Sequence, residues 1–132
     1  MPRIRLLIAD DHPIVSEGLS FILKDHFDVV GMVGDGHAMV EATRRLQPDV
    51  IIADVSMPLL NGVDALREIR REGLQSKVLI LTMHKDAALA QDAFRAGASG
   101  FLLKASPSEE LVSAIHEVAA GRAYILRSSP KI

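Results

Sequence analysis

The chain contains no cysteine among its 132 residues. That excludes a disulfide framework and thiolate metal sites, and it fits a reducing compartment. Positive charge is not in excess: 15 Lys and Arg stand against 17 Asp and Glu, a formal net charge of -2. No global basic field therefore draws the chain to nucleic acid or to an acidic membrane surface. No apolar stretch is long enough to span a bilayer, and the run after Met1-Pro2-Arg3-Ile4-Arg5 is too short for a signal peptide. A cytoplasmic protein is the expectation. Internal repeats and low-complexity segments are also lacking. What remains is an ordinary globular composition, 48% hydrophobic and 24% charged. A chain of this length reads as one domain that buries roughly two-thirds of its unfolded surface.

Short apolar runs alternate with helical patterns. Ile4 to Ala9, Val29 to Val33, Val50 to Ala53, Val78 to Leu81 and Phe101 to Leu103 read as strands. The first, third and fourth are almost uninterrupted Ile, Leu, Val and Ala, the pattern of strands covered on both faces. Between them, Val15, Leu19, Ile22 and Leu23 share one helical stripe. Met39, Ala42 and Leu46 form a second, Val63, Leu66 and Ile69 a third, and Leu111, Ile115 and Val118 the last. The segment from Ala87 to Ala96 is alanine-rich, with a thinner apolar face of Leu89 and Phe94. Ser106-Pro107-Ser108-Glu109 suggests a capping box with proline at the first helical position. Gly73, Gly97 and Gly121 mark helix ends. The order βαβαβαβαβα with right-handed crossovers predicts a flavodoxin-like, doubly wound parallel sheet of five strands, order 2-1-3-4-5, with five helices. The polar residues after Ala123 read as the start of a linker or tail.

The strand ends carry the chemistry. Asp10-Asp11 follow the first strand, Asp54 ends the third, Thr82 the fourth and Lys104 the fifth. Parallel strands place all of these along one edge, where open α/β sheets bind ligands. Each has an ordinary account alone: a helix start before Pro13, a solvated loop end, a strand-end hydroxyl, a surface lysine. Their joint placement favours a site. Two carboxylates about 4 Å apart repel by roughly 4 kcal/mol at an effective dielectric near 20. Three together favour a raised pKa or a bound cation. Oxygen donors without cysteine select magnesium, calcium or manganese, and a few carboxylates with room for water and phosphate suit Mg²⁺ best. An aspartate beside a metal and a lysine is a nucleophile candidate for phosphoryl transfer.

With Asp10-Asp11, Asp54 followed by Met57-Pro58 and Asn61-Gly62, Thr82, and Lys104, the chain resembles the receiver domain of bacterial two-component response regulators. The match covers residues 3–122, leaving 123–132 as linker or tail. "IADDHPIVSEGL", "ILTMH", "AFRAGASGFLLK" and "ELVSAIHEVAAGRAY" further resemble the NarL/FixJ (LuxR-type) subgroup. The resemblance implies that Asp54 accepts a phosphoryl group from a histidine kinase. It implies that Asp11, Asp54 and the backbone carbonyl of Ser56 ligate Mg²⁺, with Asp10 acting directly or through water. Lys104 would contact the phosphoryl group, Thr82 would donate its hydroxyl, and Phe101 would occupy the aromatic switch position. It implies a signalling switch rather than an enzyme, acting on transcription through a C-terminal helix-turn-helix output domain that this chain does not include. DNA would be reached only through that domain. A phosphorylation-dependent homodimer is implied through the fourth and fifth helices, or the first and fifth; a stand-alone receiver would act through protein contacts.

Some positions depart from the family's broad pattern. Ala105 follows Lys104 where many receivers carry a proline after a cis peptide, and a cis bond to alanine would cost about 3 kcal/mol. Phe101 lacks the hydroxyl of the commoner tyrosine. Met83 and His84 follow the threonine, where the resemblance places sensitivity to dephosphorylation; His84 alone reads as an exposed histidine. His12, His26, His37 and His116 show no metal-ligand spacing. A haloacid-dehalogenase-like phosphatase also uses a strand-end aspartate with Mg²⁺. It needs a second aspartate two residues later, where this chain has Ser56, and a cap insertion for which there is no room. A flavodoxin-like cofactor binder would need a phosphate loop where Asp10-Asp11 stand.

Overall fold

A computed structural model describes residues 3–83 and 86–125. The elements run β1 (Arg5–Ala9), α1 (Pro13–Leu23), β2 (Asp28–Val33), α2 (Gly36–Leu46), β3 (Val50–Asp54), α3 (Gly62–Arg71), β4 (Lys77–Thr82), α4 (Ala87–Ala96), β5 (Gly100–Leu103), α5 (Ser108–Ala119) and β6 (Tyr124–Ile125). All strand pairs are parallel, in the order β2-β1-β3-β4-β5-β6. The expected 2-1-3-4-5 order is therefore present.

The strands' uninterrupted hydrophobicity has the expected cause. Leu6, Leu7, Ile8, Val50, Ile51, Val78, Leu79 and Ile80 are all fully buried. Alternate residues feed two cores. Leu7, Ile51 and Ile80 pack with Met39, Leu66, Ile69 and Ala93 from α2, α3 and α4. Leu6, Ile8, Val50 and Leu79 pack with Leu23, Leu111, Ile115 and Val118 from α1 and α5. The sheet is thus held between helix layers, and its C-terminal edge is fixed from both sides.

Three local readings need correction. A sixth strand extends the sheet where a tail was expected: Tyr124 donates its backbone N–H to Ser99 (2.9 Å) and its hydroxyl to Glu110 (2.7 Å). Two residues held by one neighbouring strand leave no periodic signal. The remaining tail residues, 126–132, lie outside the described residues. In α1, only Leu23 of the expected stripe is fully buried; Val15 and Ile22 are 37% and 42% exposed, and Ser16 is buried instead. The helix is rotated so that the Ser16 hydroxyl reaches the Asp10 carbonyl (3.2 Å). In α5, Pro107 is the N-cap and makes no side-chain cap, so there is no capping box and the helix begins at Ser108. Gly73, Gly97 and Gly121 do follow helix ends with positive φ of 78°, 109° and 91°.

Candidate functional site

Four strands, β1, β3, β4 and β5, each bring one expected site residue to the edge. The Asp10 N–H donates to Val33 (2.9 Å), carrying β1's pairing one residue further and fixing Asp10 at the sheet's rim. Asp54 is the last residue of β3, opposite Leu81 of β4. The Lys104 N–H donates to the Thr82 carbonyl at 2.8 Å, so the ends of β4 and β5 are tied together. Asp10, Asp54 and Thr82 are 4%, 2% and 3% exposed, whereas Asp11 is exposed.

The turn after β3 is built to hold Asp54 still. Asn61 caps α3, accepting the Asp64 N–H at 2.9 Å. The Gly62 N–H returns to the Val55 carbonyl (3.2 Å). A Cβ on Gly62 would stand 2.4 Å from the Asp54 carbonyl oxygen, and one on Gly36 would stand 2.0 Å from that of Leu60. Both approaches are closed to any residue but glycine, so the loop packs against the start of α2. Asp54 Oδ1 accepts the Ser56 N–H at 3.1 Å.

Lys104 Nζ joins the two buried carboxylates. It donates to Asp54 Oδ2 at 2.9 Å and lies 3.0 Å from Asp10 Oδ2. Burial by itself lowers the pKa of this ammonium; the hydrogen bonds and charges of Asp54 and Asp10 outweigh it and hold the pKa above the usual lysine value. The contact to Asp10 is a buried ion pair. Apart from it, Asp10 Oδ2 accepts no hydrogen bond among the described residues.

His12, which has no metal-ligand spacing along the sequence, lies beside the carboxylates in the fold. His12 Nδ1 lies 2.9 Å from Asp10 Oδ1, 3.2 Å from Asp11 Oδ1 and 3.9 Å from Asp54 Oδ2. Asp10, Asp11, His12 and Asp54 form a cluster whose donor atoms all lie within 4.8 Å of one another. The signal in the sequence was adjacency to Asp10-Asp11, not a repeat spacing. A cleft of about 510 Å³ opens beside this cluster, lined in part by Asp11, Pro13, Met32, Gly34 and Pro58. An equally large cleft, about 510 Å³, lies around Gln47, Pro48, Asp49 and Ser76 near the opposite edge. No metal-holding cluster is found there among the described residues.

The other expected residues also reach this end of the sheet or its support. Ser56 is exposed just beyond Asp54. Phe101 is 3% exposed and packs in the core cluster that includes Ala93 of α4. Lys104–Ala105 is trans, since no described peptide bond is cis. His84 lies outside the described residues. No described helix is long and apolar enough to cross a membrane.

Comparison with known proteins agrees with this geometry. The family model for the response regulator receiver domain matches residues 6–116. The transcriptional regulatory protein MctR of Rhizobium johnstonii is 38% identical over 125 residues, 93% of this chain and 58% of the relative. The response regulator UvrY of Escherichia coli is 38% identical over 124 residues, 92% of this chain and 57% of the relative. This chain thus spans a little over half the length of these curated relatives. The signal receiver domain of the NarL response regulator from Mycobacterium tuberculosis superposes with a TM-score of 0.89 at 35% identity, covering 92% of this chain and 100% of that one. The chain belongs to the response regulator receiver domain family, a signalling family, and its relatives are regulators of the NarL/LuxR type.

Proposed function

We propose that residues 3–122 form a phosphorylation-controlled switch in which Asp54 accepts a phosphoryl group from a sensor histidine kinase. The single observation that carries the proposal is the Lys104 ammonium shared between the buried carboxylates of Asp54 and Asp10. In the transfer, an Asp54 carboxylate oxygen forms a bond to phosphorus while the phosphorus–nitrogen bond of the donor imidazole breaks. The electron pair stays on that nitrogen, which takes up a proton. Asp10, Asp11, Asp54 and the Ser56 carbonyl would hold Mg²⁺, which screens charge on the phosphoryl oxygens when bound. The clustered carboxylate oxygens of Asp10, Asp11 and Asp54 fit such an ion.

Lys104 then exchanges part of its bond to Asp54 for the incoming phosphoryl oxygens. The acyl phosphate carries nearly two negative charges at physiological pH where the carboxylate carried one. The Thr82 hydroxyl moves to bond the new oxygens, and Phe101 turns into the space released beside α4. The state with Thr82 drawn in is favoured only by its differential interaction with phosphate. The chemistry of the chain itself is limited to its own phosphorylation and slow dephosphorylation. The output is a changed α4–β5–α5 or α1–α5 surface and a homodimer formed on it. DNA is reached through a C-terminal output domain in the full-length protein, in the cytoplasm.

Acetyl phosphate with Mg²⁺, followed by intact mass, tests the proposal. One added phosphoryl group, absent from Asp54→Asn and absent without Mg²⁺, is expected. No gain in wild type, or an undiminished gain in the variant, contradicts it. Continuous turnover of phosphomonoesters would instead indicate the phosphatase chemistry.

A further inference from the structure

We propose that β6 is a detachable strap on the outer edge of β5, released when the Asp54 site is filled. The proposal rests on the reading of Asp54 as the phosphoacceptor. Tyr124 and Ile125 run parallel to β5 and pair with Gly100 and Phe101. On its other side Phe101 pairs with Ile80 of β4. The backbone of Phe101 thus lies directly between β4 and β6. A shift of β5 at Phe101 reaches β6 with no intervening element. Because the pairing is parallel, β6 also runs toward the sheet edge that carries Thr82 and Lys104. A turn of Phe101 toward the space left by Thr82 therefore disturbs the pairing that holds the strap.

The strap has a built seat. Tyr124 donates its N–H to the Ser99 carbonyl (2.9 Å) and its hydroxyl to Glu110 Oε2 of α5 (2.7 Å). Ser99 in turn donates to the Val78 carbonyl (2.8 Å), so the seat is continuous with β4. A Cβ on Gly100 would stand 3.2 Å from the Tyr124 carbonyl oxygen, so a side chain there would crowd β6. The chain enters β6 through a fixed turn, with φ of 91° at Gly121 and Arg122 paired to Glu117 (2.7 Å). The hold itself is short. β6 is two residues long, and a segment of that size opens locally at far less cost than the whole domain. Docked, it covers the edge of β5 between the α4 and α5 layers. Its release bares unpaired backbone groups in the middle of the α4–β5–α5 surface.

The test fills the Asp54 site of the full chain with beryllofluoride and Mg²⁺, a reversible stand-in for the phosphoryl group. Tyr124 is the only tyrosine and there is no tryptophan, so tyrosine emission reports β6. Beryllofluoride is expected to change that emission and to speed hydrogen exchange of the Tyr124 N–H about tenfold or more. Tyr124→Phe keeps the ring and removes the hydroxyl bond to Glu110. Linkage is reciprocal, so this variant should bind beryllofluoride about threefold or more tightly in calorimetry. A β6 with only a structural role would leave that affinity unmoved. Asp54→Asn should lose beryllofluoride binding. Binding that requires Asp54 but leaves either Tyr124 signal unmoved, or an affinity in Tyr124→Phe that is not raised, overturns the strap alone. No binding, or binding undiminished in Asp54→Asn, overturns it together with the phosphoacceptor reading.

Discussion

Replacing Lys104 by methionine removes the one ammonium placed between two buried carboxylates. Nζ lies 2.9 Å from Asp54 Oδ2 and 3.0 Å from Asp10 Oδ2. At an effective dielectric near 20, each contact is worth roughly 5–6 kcal/mol of gross Coulomb attraction, before desolvation. Two oxygens that share an ammonium at these distances are at most about 6 Å apart, so their mutual repulsion is at least roughly 3 kcal/mol. Most of the gross attraction is offset by taking three charges out of water, and removal of a buried partner typically costs about 3–5 kcal/mol net. Lys104→Met should therefore lose about 3–5 kcal/mol in metal-free buffer. For a domain of this size that lowers the Tm by on the order of 10–20 °C. Mg²⁺ should then stabilise the variant more than wild type, because the ammonium no longer competes for the carboxylates. An ion at about 100 times its Kd adds about 2.7 kcal/mol. Urea and thermal melts with chelator and with graded Mg²⁺ measure both effects. A loss under about 1 kcal/mol, or a Mg²⁺ response no larger than wild type's, would refute the charge-sharing account.

Other outcomes follow from single features. Leu59 is 78% exposed with φ of 69°, in the left-handed region that leucine avoids. Leu59→Asn should stabilise the protein by about 0.5–1 kcal/mol in urea melts, since strain is relieved and little packing is lost. Gly36→Ala would place a Cβ 2.0 Å from the Leu60 carbonyl oxygen. It should cost about 1–3 kcal/mol and weaken Mg²⁺ binding in calorimetry, because the loop that carries Ser56 must move. The pKa of Lys104 is raised in the folded protein, so its contribution is complete below the ordinary lysine value of about 10.4 and is lost as pH rises through the folded value. The stability gap between wild type and Lys104→Met should be flat from about pH 7 to 10 and narrow above that, as read by melts across pH.

The fold was legible where burial on two faces made the pattern redundant. Ile51 and Leu79 are fully buried, and no alternation could hide such strands. Asp10, Asp54, Thr82 and Lys104 were legible as a group because parallel strands bring their ends to one edge whatever the loops do. What escaped was set by tertiary contact. The stripe of α1 could not reveal that Ser16 faces inward to reach the Asp10 carbonyl. His12 has its nearest partner, Asp10, two residues away, but only the β1–β3 pairing brings Asp54 within 3.9 Å of it. Pro107 ended up outside α5 because its extended backbone, ψ 152°, precedes the first helical residue.

Chemical trapping at a single residue tests the central claim most directly. An aspartyl phosphate reduced with borohydride becomes homoserine, which peptide mass mapping locates. After treatment with acetyl phosphate and Mg²⁺, homoserine is predicted at position 54 alone. Homoserine at Asp10 or Asp11, or none anywhere in a chain that has gained phosphoryl mass, contradicts the assignment of Asp54 as the acceptor.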